Sequence, residues 1–178
     1  VQIINTAFDG LIPSLLTGNF DCIMSAMTIT DERLKAVAFS DPYFSAGQVI
    51  VTLTDDSSIQ TAEHLEGKKI SVQIGTTGDF AASEIKGATV KRFNMAVNAI
   101  QEVRKESVSA CIIDLAVAAE LSKEYEDIKF GEPFTMEYYG IAIKKNNTEL
   151  IKKLNHALAS IKVSGEYDKI YDKWFGAN

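Results

Sequence analysis

Residues 65–93 read LEGKKISVQIGTTGDFAASEIKGATVKRF. HLEGKKISVQI (64–74) gives a turn followed by an apolar, β-prone strand. GTTG (75–78) is a glycine-flanked loop, DFAASEI (79–85) starts a helix, and ATVKRF (88–93) is a second strand. Strand, helix and strand within roughly 30 residues make a crossover unit, the connection that joins parallel strands. This stretch assigns the chain to the α/β class.

The same alternation extends outward in both directions. Upstream, GQVIVTL (47–53) is a strand, Thr30 caps a short helix over DERLKAV, and FDCIMSAM (20–27) is a buried strand. GLIPSLLTG (10–18) has helical spacing and stops at Gly18, and VQIINTAF (1–8) alternates as a strand. Downstream, a helix over AVNAIQEVRKE (96–106), a strand SACIID (109–114) and a helix LAVAAELSKEY (115–125) follow one another. IKFGEPF and YYGIAIKK are strands. ELIKKLNHALASIKVSG (149–165) carries Leu150, Ile151, Leu154, Leu158 and Ile161 on one side of a helix, and EYDKIYDKWFG forms a last helix. Tyr167, Tyr171, Trp174 and Phe175 read as packing rather than as a ligand cage. The pattern predicts mainly parallel sheets flanked by helices. Ligands then bind outside the carboxyl ends of strands.

Three strand ends carry unusual polar groups. The first is SAMTITDER (25–33). Helix starts favour acids, and Asp31 and Glu32 conform, but Arg33 does not. Its planar fork suits a carboxylate, with Thr28 and the turn amides beside it. The plain alternative is a Thr30 cap and a solvated Arg33. The second is QIGTTGD (73–79), whose free amides also suit an anion, against the plain alternative of a tight turn. It lacks the Gly-Lys-Ser/Thr ending of a nucleotide P-loop and the three-glycine dinucleotide spacing. The third is CIID, where Asp114 is by base expectation a helix cap and alternatively a carboxylate aimed at a cation. Taken together, Arg33, Thr28 and the Gly75–Thr77 amides outline a carboxylate grip and Asp114 an ammonium acceptor, the two ends of an α-amino acid.

Composition removes several function classes. The 178 residues are 46% hydrophobic and 24% charged, with 18 basic against 24 acidic residues and a net charge of −6. That balance opposes nucleic-acid binding, which needs clustered cations. No apolar run reaches the ~20 residues of a membrane helix, so the chain is expected not to span a membrane. Two cysteines in apolar runs and two scattered histidines form no metal set, and no cofactor motif is present. Cys22 and Cys111 read as buried thiols. His64 and His156 read as surface or helix-packing residues.

Four stretches carry a resemblance: FDGLIPSLLTGNFDCIMSAMTITDERLKAVAFSDPYF (8–44), LEGKKISVQIGTTGD (65–79), YYGIAIKK (138–145) and GEYDKIYDKWFG (165–176). In order and spacing the chain resembles the periplasmic polar amino acid-binding proteins of ABC importers, solute-binding protein family 3 with the type II periplasmic binding fold. The resemblance implies a two-lobed clamp. Lobe 1 would hold residues 1–44 and 140–178, and lobe 2 residues 45–139, with hinges near Phe44–Gly47 and Met136–Gly140. It implies an amino acid ligand, with a polar side chain favoured, an ABC permease as partner, and a periplasmic or cell-surface location. Residue by residue, it assigns the carboxylate-binding arginine to Arg33, ligand hydrogen bonds to Ala26 and Thr28, and carboxylate donors to Thr76 and Thr77. Gln73 would line the pocket, Asp114 would accept the ammonium, Phe8 would form an aromatic wall, and Ser25 is a weaker carry-over.

The resemblance also implies a difference. The family begins with a strand and helix ahead of the strand that VQIINTAF matches, so lobe 1 is expected to be incomplete at its N-terminus, from truncation or by completion with another chain, which admits a homo-oligomer. Three rival readings stand beside the main one: a dehydratase-like enzyme on the same fold with Asp114 as base, a ligand-sensing receptor domain, and a degenerate clamp without ligand.

Overall fold

A computed structural model describes residues 1–176; Ala177 and Asn178, the end of the expected lobe 1, lie outside the described residues. In chain order the elements are α1 (Leu11–Thr17), β1 (Cys22–Ile23), α2 (Asp31–Ala36), β2 (Ala38–Phe39), β3 (Phe44–Ala46) and β4 (Gln48–Leu53). Then come β5 (Lys69–Gln73), α3 (Thr77–Ser83), β6 (Thr89–Phe93), α4 (Ala96–Arg104), β7 (Ala110–Asp114) and α5 (Leu115–Ser122). The chain ends with β8 (Ile128–Phe130), β9 (Glu137–Tyr139), β10 (Ala142–Ile143), α6 (Thr148–Val163) and α7 (Glu166–Phe175).

Contacts divide the chain into two compact units. One comprises Val1–Leu11 and Ser45–Tyr138, the other Ile12–Phe44 and the chain from Tyr139 onward. Residues 1–11 therefore group with 45–138, not with 12–44 as the sequence reading had them. Asp9 shows why: its Cβ lies 3.2 Å from the point where a β-carbon on Gly75 would stand, so the segment rests on the loop after β5.

In the first unit the sheet order is β6-β5-β7-β4-β8. β5 runs parallel to β6 and to β7, while β4 runs antiparallel to β7 and to β8. β4 reads QVIVTL, buried at nearly every position because both faces are covered. Val49, Val51, Cys111 and Ile113 pack on Ala99, Ile100 and Val103 of α4 and Ala118 of α5. Ile50, Ile70, Val72 and Ile112 pack on Ala82 of α3 with Leu65 and Ile59. Each fully buried aliphatic side chain there contributes about 1.5–3 kcal/mol relative to exposure.

In the second unit β10 lies between β1 and β2 and is antiparallel to both. Ile141, Ile143 and Leu158 form its core, with Leu150, Ile151, Leu154 and Ile161 of α6 packed against them, the stripe expected from sequence. The Tyr171 and Phe175 rings of α7 lie tilted against Phe44, and the Tyr167 hydroxyl donates to the Tyr43 carbonyl at 2.6 Å, so three of the four aromatics pack as expected. Trp174 is 63% exposed.

The α/β class holds, but the strands are not mainly parallel. Only β5, β6 and β7, joined by α3 and α4, have the helical crossovers that parallel neighbours need. VQIINTAF is not a strand: Val1, Ile3 and Ile4 are exposed, and a strand exists only through a paired neighbour. FDCIMSAM shortens to Cys22–Ile23 because Met24–Ala26 turn outward to solvent. YYGIAIKK breaks into β9 and β10, and α3 begins at Thr77, absorbing half of the expected GTTG loop.

Candidate functional site

In the second unit, Thr30 caps α2, its hydroxyl accepting from the Arg33 backbone N–H at 3.2 Å. The cap expected from sequence is thus present, but Arg33 is not the solvated residue of that plain alternative. It is 7% exposed, and its Nη1 donates to the Thr28 carbonyl at 2.7 Å. A guanidinium is costly to bury unless hydrogen bonds hold it, so its placement is specified. Thr28 is buried and bridges Tyr139 in antiparallel register, which fixes the carbonyl that receives Arg33. Ser25 and Ala26 are exposed beside this pair. Ala26 has φ +49°, the left-handed region that costs a non-glycine residue about 1–2 kcal/mol. Strain of this kind gathers at functional turns.

In the first unit, Gly75 has φ +75°, which lets β5 turn sharply into α3. Its N–H donates to Asp79 Oδ2 at 3.1 Å. Asp79 is 5% exposed and pairs with Arg92 at 2.8 Å, so it locks the loop from below. Thr76 caps α3: its hydroxyl accepts from the Asp79 N–H at 3.2 Å and donates to the Gln73 carbonyl at 2.8 Å. Gln73 itself turns its Nε2 to the Asn94 carbonyl at 3.1 Å. Phe8, half-buried, opens the short 3-10 turn whose Asp9 abuts Gly75.

Thr77 and Asp114 meet through two residues that the sequence reading did not single out. Gln48 is 1% exposed, and register places it directly across from Asp114 on the neighbouring strand. Its Nε2 donates to Asp114 Oδ2 and to Thr77 Oγ1, each at 3.1 Å, and lies 3.5 Å from Glu137 Oε2. Glu137 accepts from the Thr77 hydroxyl at 2.7 Å and the Thr135 hydroxyl at 2.9 Å. Thr135 in turn accepts from the Gln48 backbone N–H at 2.8 Å.

This network changes two assignments. Asp114 stands at the N-cap position of α5, yet its carboxylate takes the Gln48 amide instead of capping the helix. The Thr76 and Thr77 hydroxyl protons are directed to Gln73 and Glu137, the Gly75 N–H to Asp79 and the Thr76 N–H to the Gln73 carbonyl at 3.5 Å. Gln48 carried a signal: it is a polar residue opening an otherwise apolar strand. Glu137 carried none, because the partners that tie it to the cluster, Thr77 and Gln48, lie 60 and 89 residues away in sequence.

The remaining reactive groups stand apart. Cys111 is buried and its thiol is pushed up to about 12 by that burial; Cys22 is half-buried, and burial raises it as well. His64 and His156 are exposed, and His64 Nδ1 accepts from the Gln60 and Thr61 N–H groups. Among the described residues no group of three His, Cys, Asp or Glu side chains converges as for a metal. No helix there is long and apolar enough to cross a membrane.

A family model described as bacterial extracellular solute-binding proteins, family 3, matches residues 1–177. A probable histidine-binding protein of Neisseria gonorrhoeae is 36% identical over 175 residues, covering 94% of this chain. The chain spans 65% of that relative's length. A solved structure of a mutant of arginine-bound ArgBP from T. maritima superposes with a TM-score of 0.87 at 44% identity, covering 90% of this chain and 76% of that one. The ancestral amino acid-binding protein AncCDT-1, a precursor of cyclohexadienyl dehydratase, superposes with a TM-score of 0.92 at 41% identity, covering 98% of this chain and 77% of that one.

Proposed function

The chain belongs to the bacterial extracellular solute-binding proteins of family 3, and from that premise we propose that it captures an α-amino acid outside the cytoplasm for an ABC permease. The observation that carries the reading is the buried Arg33, held by the Thr28 carbonyl at a strand-to-helix turn. Its guanidinium takes the ligand carboxylate, Asp114 takes the ammonium, and the Thr77 N–H at the start of α3 shares the carboxylate. Ser25, Ala26, Gln73 and Phe8 line the remainder, and their mixed polarity favours a polar side chain. Arginine and histidine head the candidates because relatives bear those names. Residues 12–44 with the C-terminal segment act as one lobe and 45–138 as the other, bending near 44–47 and 136–140 as ligand binds. AncCDT-1 is itself described as an amino acid-binding protein, so its descent toward a dehydratase does not favour turnover here.

Calorimetric titration with the twenty standard amino acids tests the reading. Binding of one or a few, weakened at least about tenfold in Arg33→Lys and about a hundredfold in Arg33→Ala, is the expected result for loss of a charge-assisted fork. Absence of heat with every amino acid, or unchanged affinity in Arg33→Ala, refutes it.

A further inference from the structure

We propose that Glu137 is a positioning residue for the ammonium acceptor: it fixes the Gln48 side-chain amide, and that amide fixes Asp114. The inference rests on the amino acid-binding reading of Asp114. Its physical basis is the orientation of Gln48. The Nε2 group faces three oxygens, from Thr77, Asp114 and Glu137. Turning the amide over would set Oε1 against two carboxylates, and like partial charges forbid it. The consequence is visible on the other side of the group: Oε1 is buried and makes no hydrogen bond among the described residues. Native structures rarely leave a buried acceptor so. Its space exists because residue 78 is glycine; a β-carbon there would stand 2.6 Å from Oε1. Gln48 is therefore held against its own preference for a second partner, and the groups that hold it are identifiable.

Glu137 is the organising one. Asp114 touches Gln48 as a neighbour across one pair of strands. Glu137 reaches it from β9, a different sheet, and is anchored by the Thr77 and Thr135 hydroxyls, neither of which bonds Asp114. The same carboxylate orients the Thr77 hydroxyl and so leaves its lone pairs for Gln48. One side chain next to a chain crossing thus sets the polarity of the whole cluster.

Two measurements decide it. A double-mutant cycle uses Glu137→Gln and Gln48→Met with L-arginine, the first probe chosen, or whichever amino acid binds. Glu137→Gln weakens affinity about tenfold in the wild-type background and less than about twofold in the Gln48→Met background, the coupling expected of residues acting in series. Equal losses in both backgrounds overturn the proposal. In the ligand-free protein, nitrogen-15 NMR reads the Gln48 side-chain amide directly. Its proton exchange accelerates about tenfold in Glu137→Gln, and unchanged exchange overturns the proposal. Should Glu137→Gln fail to fold, Glu137→Asp draws the carboxylate back from Gln48 and shifts both readouts in the same direction; no shift overturns the proposal. If the wild type binds no amino acid, the binding reading fails while the exchange measurement still decides whether Glu137 holds Gln48.

Discussion

Replacing Gly78 with alanine tests the packing under the α3 turn more sharply than any charge change. A β-carbon at this position would stand 2.6 Å from Gln48 Oε1, 3.0 Å from the Ile112 carbonyl and 3.3 Å from Ile112 Cγ2. None of these yields easily. Gln48 is 1% exposed and tied by its amide, and Ile112 is fully buried in β7 at the centre of the sheet. Overpacking of such a site costs about 1–3 kcal/mol. Alanine returns about 1 kcal/mol through its better helix propensity. The rigid neighbours place the overpacking near the upper end, and the net loss is roughly 1–2 kcal/mol. In a chain of this length each kcal/mol moves the melting temperature by about 2–4 °C. Gly131→Ala is the matched control, since a β-carbon there meets nothing within 4 Å. Urea unfolding followed by circular dichroism is the assay, with calorimetric titration of the bound amino acid alongside. Gly78→Ala should lower the urea midpoint and weaken binding, because displaced Gln48 disturbs Asp114, while Gly131→Ala should do neither. A Gly78→Ala protein as stable as its control, with unaltered binding, would refute both the packing argument and the fixed amide.

Three further outcomes follow from buried groups. Asp79→Ala removes the acceptor of the Gly75 N–H and the partner of Arg92; the hydrogen bond to a charged group dominates, because Arg92 is itself 42% exposed, and the loss is roughly 2–3 kcal/mol in urea unfolding. Asp79→Asn should recover part of it. The Cys111 thiol, held up to about 12, is expected to stay unmodified by a thiol reagent at pH 8 until the protein unfolds, with Cys22 reacting slowly in the native state. Because an unfolded thiol ionises near its ordinary value of 9.0, this group makes stability fall as pH rises from about 9 toward 12 and has no effect below that window. A Cys111→Ala variant whose alkaline unfolding profile matches the wild type would contradict the sign.

The sequence by itself determined the features that depend on neighbours in the chain. The crossover over 65–93, the Thr30 cap, the apolar stripe of α6 and the tight turn at Gly75 are all local, and each is governed by periodicity or by a backbone requirement within a few residues. Family resemblance added the functional weight of Arg33 and Asp114, which spacing alone left between a surface residue and a cap. Where a strand needed a partner, local pattern was insufficient: residues 1–8 alternate well and form no ladder, because pairing is a property of two segments. Tertiary structure alone decided what surrounds Asp114. Gln48 lies 66 residues before it and Glu137 lies 60 residues after Thr77, and no periodicity spans such distances. Sheet register brings Gln48 and Asp114 face to face, burial then demands partners for both, and the hydrogen-bonding geometry of one amide settles which way every group in the cluster points.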